Sequence, residues 1–137
     1  MADTIRKVTY FKMQASNRPG VGAKLLQMMK ESKVNMLAFS GFPEGKGAQL
    51  DFIPEDSAAF LRAAKKAKLR LSAKKIGFLI QGKDRVGAVA DVLSKLAKAK
   101  INVTAIDALS AGGGRWAAIL WVKSQNVTKA AKALGAR

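Results

Sequence analysis

The chain contains no cysteine and no histidine among its 137 residues. The absence of cysteine excludes disulfides and thiolate nucleophiles, and the absence of both residue types removes the usual zinc ligands and the commonest proton shuttle. Catalysis would therefore depend on a carboxylate or a lysine, and no pair of acidic residues has the spacing of a general acid and base. We expect a protein that is not an enzyme and that carries no metal and no cofactor.

Acidic residues and long apolar runs are also scarce. Nine Asp and Glu residues stand against 25 Lys and Arg residues, which gives a formal net charge of +16. The N-terminal residues lack the apolar core of a signal peptide, and no apolar run approaches transmembrane length. We expect a cytoplasmic protein without a membrane partner, whose charge would attract nucleic acid or other anionic surfaces.

The chain aligns with itself, without a gap, when it is shifted by 67 residues. Phe11 then meets Phe78, Gly20 meets Gly87, and an Asn recurs at the same point of both copies. Such a repeat identifies a duplicated module. It divides the chain into residues 1–72 and 73–137, and because units of this size bury little core alone, we expect them to pack on each other or on a second subunit.

Hydrophobic periodicity predicts the same order of elements in both copies. Alternation predicts first strands at residues 5–14 and 74–81, and stripes of period 3.6 predict helices that contain Leu25 and Met29, or Val92 and Leu96. Two strands with a Gly-containing hairpin follow, at 34–42 and 48–53 and at 101–109 and 115–122. A second helix comes next, and a short strand at residues 69–72 closes the first copy only.

This order predicts an α+β fold of two ferredoxin-like βαββαβ units in tandem, with the last strand absent from the second. The missing strand would leave a bare sheet edge unless another segment pairs there. Strands of the second unit are apolar on both faces, at residues 76–80 and 117–121, so we expect the face without helices to be buried too. Dimerisation is the expected cover, which predicts a homodimer.

The first loop resembles that of a known family. Asn17-Arg18-Pro19-Gly20-Val21 lies between the first strand and the first helix, and Val34-Asn35-Met36 opens the second strand. With the βαββαβ order, these residues resemble the ACT domain, an amino-acid-sensing module of metabolic enzymes. The likeness is greatest to the serine-binding regulatory domain of 3-phosphoglycerate dehydrogenase.

The resemblance implies a ligand site in each copy, for a small amino acid or a related effector. A helix N-terminus would bind the ligand carboxylate, a glycine would allow close approach, and an Asn or Asp side chain would accept from the ammonium group. With the arginine of each loop included, the candidate binding residues are Asn17, Arg18, Gly20, Val21, Asn35, Asp84, Arg85, Gly87, Ala88 and Asn102.

Alternatives stay open at these positions. Asp84 and Val86 replace Asn and Pro in the second loop, so that site could bind something else or nothing. Asn17 and Asp84 could instead cap a turn, each strand-start Asn could hydrogen-bond a nearby backbone, and the two loop arginines could be solvated arms. In a side-by-side pair of units, Asn17 would cooperate with Asn102, and Asp84 with Asn35.

A nucleic acid is the alternative partner. Seven cations and no acid occur from Arg62 to Lys75, and RNA-recognition-motif proteins share the βαββαβ plan. Neither third strand carries the aromatic pattern of those proteins, and Phe11 and Phe78 fall on the predicted core stripe, so we do not expect nucleic acid as the main partner. We predict a non-catalytic regulatory protein that signals through altered packing or through a protein partner.

Overall fold

A computed structural model describes residues 3–137 of the chain. The elements are β1 Thr4–Ser16, α1 Val21–Glu31, β2 Met36–Glu44, β3 Gly47–Pro54, α2 Ser57–Lys66, β4 Lys75–Lys83, α3 Ala88–Lys98, β5 Ala105–Gly112, β6 Arg115–Trp121, a 3-10 turn at Ser124–Asn126, and α4 Val127–Leu134. The α+β class and the repeated order of ferredoxin-like units are confirmed.

Packing divides the chain at different points from the sequence repeat. Thr9–Lys75 forms one compact unit, here called the first unit, and residues 3–8 join Ile76–Arg137 in the other, the second unit. The cause is Ile5, which lies in one hydrophobic core with Phe78 and Ile80. β1 therefore contributes its first residues to one unit and its remaining residues to the other.

The first unit has antiparallel strands in the order β2-β3-β1, with α1 and α2 over one face. Phe11 lies opposite Phe52 in the sheet register. The ring of Phe60, from α2, lies 5.4 Å from the Phe11 ring and 5.3 Å from the Phe52 ring, between centroids. This aromatic cluster and Met29 of α1 form the centre of the core.

The predicted last strand of the first unit, at residues 69–72, is not a regular strand. The segment runs beside β1, and the Ser72 N–H donates to the Lys12 carbonyl at 2.9 Å. The Lys12 N–H donates to the Ser72 hydroxyl at 2.9 Å rather than to a backbone carbonyl. Because the side chain takes the place of a ladder partner, the pairing does not continue as a strand.

The second unit has the strand order β1-β4-β6-β5, in which the first residues of β1 provide the edge strand beside β4. Arg137 follows α4 and donates from its N–H to the Ile5 carbonyl at 3.1 Å, while the Lys7 N–H donates to the Arg137 carbonyl at 3.1 Å. The sheet edge that the sequence repeat leaves open, at β4, is therefore paired by the first residues of β1.

The pairing of β6 with β4 differs by one residue from the pairing that the gapless repeat predicts. Phe11 faces Phe52 in the first unit, whereas the aligned Phe78 faces Leu120 and not Ile119 in the second. The extra residue lies at a bulge between Ser110 and Gly112, just before the turn of the hairpin.

Both faces of β4 and β6 are buried, as predicted for residues 76–80 and 117–121. Phe78 and Leu120 lie in the core beneath the helices, and Leu79, Ile119 and Trp121, on the opposite face, are 5–7 % exposed. The single chain already buries these three residues. A second subunit is therefore not needed to bury them. The prediction of a homodimer must rest on another surface.

The four helices end in the same way. A residue with positive φ ends each helix: Lys33, Lys68 and Lys100 follow the C-caps of α1, α2 and α3, and Gly135 is itself the C-cap of α4. The next N–H then donates back five residues, as from Ile101 to the Leu96 carbonyl at 3.0 Å. This is the Schellman arrangement, which satisfies carbonyls at the helix end. None of the helices described in residues 3–137 has the length and apolarity needed to cross a membrane.

Candidate functional site

The loop between β1 and α1 presents an open helix N-terminus. Gly20 has a φ of 89° and occupies the N-cap position, so no side chain caps α1. A non-glycine residue would be strained at this φ. The Lys24 N–H donates to the Gly20 carbonyl, while the N–H groups of Gly22 and Ala23 have no partner within residues 3–137. These two donors and the partial positive charge of the helix end are available to an anion.

A cavity of about 220 Å³ lies against this loop. The loop and α1 form one wall and the β2–β3 hairpin forms the other; the lining includes Asn17, Arg18, Val21, Gly22, Gly41, Phe42, Pro43, Ala48 and Leu50. Asn17 and Arg18 are exposed, and neither side chain makes a hydrogen bond in the described part of the chain. The alternative in which Asn17 caps the turn has no hydrogen bond to support it in the described residues, and Gly20 occupies the N-cap of α1.

Asn35 lies at the other end of α1, in a separate cavity of about 430 Å³ that Lys30 and Lys33 also line. Its Nδ2 donates to Glu55 Oε2 at 3.3 Å, and its carbonyl accepts from the Glu55 N–H at 2.9 Å. α1 has 11 residues, a length of about 16 Å. Within the first unit, Asn17 and Asn35 are therefore not brought together, and Asn35 makes a structural contact.

The second loop uses its polar groups internally. The Oδ1 of Asp84 accepts from the Arg85 N–H at 2.9 Å, and the Asp84 N–H donates to the Gly114 carbonyl at 2.8 Å. Gly87 repeats the positive φ of Gly20, at 86°, but Ala88 is buried in the core. Asp84 thus has the turn-capping role that was the alternative to ligand binding. Asn102 is exposed and lies at the far end of α3.

Arg85 is not the solvated arm that the sequence led us to expect. Its guanidinium donates to both oxygens of Asp3, at 3.0 and 3.1 Å, to Asp91 at 3.1 Å and to the Lys83 carbonyl at 3.1 Å. The Asp3 side chain is 6 % exposed and also accepts from Trp116 Nε1 at 3.1 Å. The second loop is therefore fastened to the N-terminal segment by a buried carboxylate.

Sequence analysis did not identify Asp3 as part of this cluster, because it lies far from Arg85 along the chain. One signal was present: Gly82 replaces the Ala15 of the first copy, and a side chain at Gly82 would overlap the Asp3 carboxylate. The hydrogen bond from Arg85 lowers the pKa of Asp3 below its ordinary value, and burial opposes this shift. The same contact raises the pKa of Arg85.

Across residues 3–137 there is no group of three or more acidic side chains that could hold a metal ion. The site that remains is an open cavity in the first unit, with a cation, an amide and a helix N-terminus around it.

The second unit is similar in sequence to a known family of domains. The family model of the ACT domain matches residues 78–137. No protein in the curated set that was compared matches the chain.

Solved structures with the same fold cover nearly the whole chain. A protein of Bacteroides thetaiotaomicron has a TM-score of 0.77 at 15 % identity, covering 97 % of this chain and 88 % of its own. The ligand-free regulatory subunit of aspartate kinase from Thermus thermophilus has a TM-score of 0.65 at 14 % identity, covering 98 % and 95 %. The regulatory subunit of aspartate kinase from Thermus flavus has a TM-score of 0.60 at 17 % identity, covering 98 % and 94 %. The finer likeness to the serine-binding domain of 3-phosphoglycerate dehydrogenase stays a prediction.

Proposed function

We propose that this chain is a non-catalytic regulatory protein that binds a small amino acid, or a related effector, at the loop of its first unit. The observation that carries the proposal is the cavity beside Asn17 and Arg18, at a helix N-terminus that no side chain caps. A volume of about 220 Å³ lies below the roughly 300–1,000 Å³ of sites for drug-sized ligands, so the site fits a small metabolite.

The groups around the cavity match the parts of an amino acid. The free N–H groups of Gly22 and Ala23 and the Arg18 guanidinium would bind the carboxylate. The side-chain oxygen of Asn17 would accept from the ammonium group. Phe42 and Leu50 supply apolar surface for a short side chain.

The two loops would differ in occupancy. Arg18 is free to meet a ligand, whereas its counterpart Arg85 is held by Asp3 and Asp91. A ligand at the second loop would have to displace a bidentate ion pair. We therefore propose one effector per chain, bound at the first loop, with the second loop in a structural role.

An output through assembly or a partner completes the proposal. Two of the similar structures are regulatory subunits of aspartate kinase, which is a precedent for this fold in a regulatory role. Bound effector would favour whichever packing it contacts best, and a homodimer or a regulated enzyme would transmit that preference.

The test is a thermal-shift screen of the twenty amino acids, followed by calorimetric titration of those that bind. At 100 times its dissociation constant a ligand stabilises the folded state by about 2.7 kcal/mol, which is a readily measured shift. We expect one ligand per chain, and at least about a tenfold loss of affinity for Asn17→Ala because a hydrogen bond to a charged group is lost.

Asp84→Ala, at the aligned position of the second loop, is the matched control and should leave the affinity unchanged. Failure of every amino acid to raise the melting temperature, or a stoichiometry of two, would contradict the proposal. Asn35→Ala should also leave the affinity unchanged, because Asn35 contacts Glu55 and lies in a separate cavity from Asn17.

A further inference from the structure

A long segment of the first unit and the following strand carries positive charge without any compensation. From Ser57 to Lys83 there is no Asp or Glu, and the segment contains eight cations: Arg62, Lys65, Lys66, Lys68, Arg70, Lys74, Lys75 and Lys83. All of them except Lys75 are exposed, and we call the six that lie in the first unit, from Arg62 to Lys74, the basic strip.

The cations of the basic strip have no ionic partners. Arg85 is the only Lys or Arg residue in the described part of the chain that lies within 4.0 Å of a carboxylate. Asp56, the acid nearest along the chain, caps α2 by accepting from the Ala59 N–H. Because like charges repel, six exposed cations without an acid between them destabilise the free protein unless an anion screens them.

Two elements arrange the strip along one path. α2 buries Phe60 and Ala64 in the core of the first unit, which leaves Arg62, Lys65 and Lys66 on its exposed side. These three lie at i, i+3 and i+4, so they are neighbours on the helix surface. The chain then extends along β1, and there Arg70 and Lys12 line an open groove of about 380 Å³.

We propose that the basic strip binds the phosphate backbone of a nucleic-acid duplex. Duplex DNA carries one negative charge for about every 1.7 Å of its axis, and lysine and arginine side chains that approach it release condensed counterions. The cations of α2 extend about 6 Å along the helix, from Arg62 to Lys66, and those from Lys68 to Lys74 continue the strip to further phosphates. Binding of this kind reads the backbone and not the base sequence.

The composition of the strip favours a duplex over other anionic partners. Protein interfaces use aromatic and large apolar anchors, whereas residues 61–75 contain no aromatic residue, and Leu61 is the one large apolar side chain there that is more than a third exposed. Membrane-surface helices insert an apolar face, but the apolar face of α2 is buried in the core.

Single strands are a less suitable ligand than a duplex. Proteins that bind them stack the bases on exposed aromatic side chains. In the two sheets, Phe11 is 2 % exposed and Phe78 is fully buried. The platform of an RNA-recognition motif is therefore not available on these strands, and contact with the phosphate backbone is the mode that the strip supports.

Fluorescence anisotropy with a labelled duplex tests the proposal. Affinity would be measured from about 50 to about 200 mM salt for the full chain and for two double variants. Arg62→Gln with Lys65→Gln removes two charges from the strip; Lys129→Gln with Lys132→Gln removes two exposed charges at the aligned positions of α4. If two phosphate contacts are lost, the slope of log affinity against log salt becomes shallower by about 1.8 in the first double variant, at about 0.9 per contact. The control double variant should keep the slope of the original protein.

Equal effects of the two double variants would overturn the proposal, because they would show that diffuse net charge attracts the duplex. Absence of duplex binding at about 50 mM salt would overturn it too, as would tighter binding to phosphatidylserine vesicles than to the duplex. The effector site is separate, so both double variants should keep their thermal shift with an amino acid, and failure of one proposal can be told from failure of the other.

Discussion

Arg18 and Arg85 occupy the same position of the repeat and have different surroundings. Arg18 is exposed beside a cavity, and Arg85 is fixed by a carboxylate from the N-terminal segment. The loop sequences alone predicted the same role for both arginines. The difference depends on Asp3, which lies 82 residues from Arg85 along the chain. Such a distant contact leaves no local sequence pattern, so the sequence indicates the first loop but not the ion pair that closes the second.

The ion pair of Asp3 predicts a pH dependence of stability. The pKa of Asp3 is lowered by Arg85, so its ionised form contributes stability above the ordinary value near 3.8, and this contribution is lost as the pH falls through the lower folded-state pKa. Asp3→Asn should therefore unfold at lower urea concentration than the original protein at pH 7, and the difference should narrow below about pH 4.

Urea unfolding at pH 7, 5 and 3 measures this difference. Asp107→Asn is the control, because Asp107 is exposed on β5 and makes no salt bridge within residues 3–137. If the urea midpoints of Asp3→Asn and the original protein differ by the same amount at all three pH values, ionisation of Asp3 does not stabilise the fold.

At the scale of elements, three helices end with a lysine in a conformation that favours glycine. Lys33, Lys68 and Lys100 have φ values of 58–60°, and α4 uses Gly135 at the same point. A side chain in the left-handed region costs roughly 1–2 kcal/mol, partly offset because glycine loses more backbone entropy on folding. We expect Lys100→Gly to raise the free energy of unfolding by about 0.5–1 kcal/mol.

Denaturant unfolding checks this value, and Lys98→Gly is the matched control. Lys98 lies in the last turn of α3 with ordinary helical backbone, so glycine there should lower stability by about 1 kcal/mol. If both substitutions destabilise the protein, the left-handed lysine is not a source of strain.

The sequence predicted the order of the elements well and their pairing less well. Periodicity locates each helix and strand because the apolar side of each element faces a core. It did not reveal that Ser72 uses its hydroxyl in place of a ladder bond, or that a bulge before Gly112 moves β6 by one residue. Each is a local change at one or two residues, so neither alters the hydrophobic periodicity of the sequence.

At the scale of the whole molecule, β5 is the exposed surface best suited to a homodimer. It is the last strand in the order of the second unit, all of its residues except Ile106 are exposed, and Leu109 is 59 % exposed. Natural edge strands are usually protected by lysine or proline, and β5 contains neither, while β2 carries Pro43 and Glu44 at its end. We propose that two copies pair through β5.

Sedimentation of the purified chain tests this assembly. We expect a dimer for the original protein and a monomer for Leu109→Lys, because a lysine on an edge strand opposes pairing with another edge. Leu61→Lys changes a comparably exposed leucine on α2 and should stay dimeric. A monomeric original protein, or equal behaviour of the two variants, would rule out pairing through β5.

The shared strand β1 also has a consequence for biosynthesis. The ribosome makes Ile5 well before its partners Phe78, Ile80 and Arg137, and Arg137 is made last of these. The first unit, Thr9–Lys75, needs none of these partners and can assemble while translation continues. The second unit closes only after translation has reached Arg137, so Ile5 has no core partner until about 70 further residues have been made.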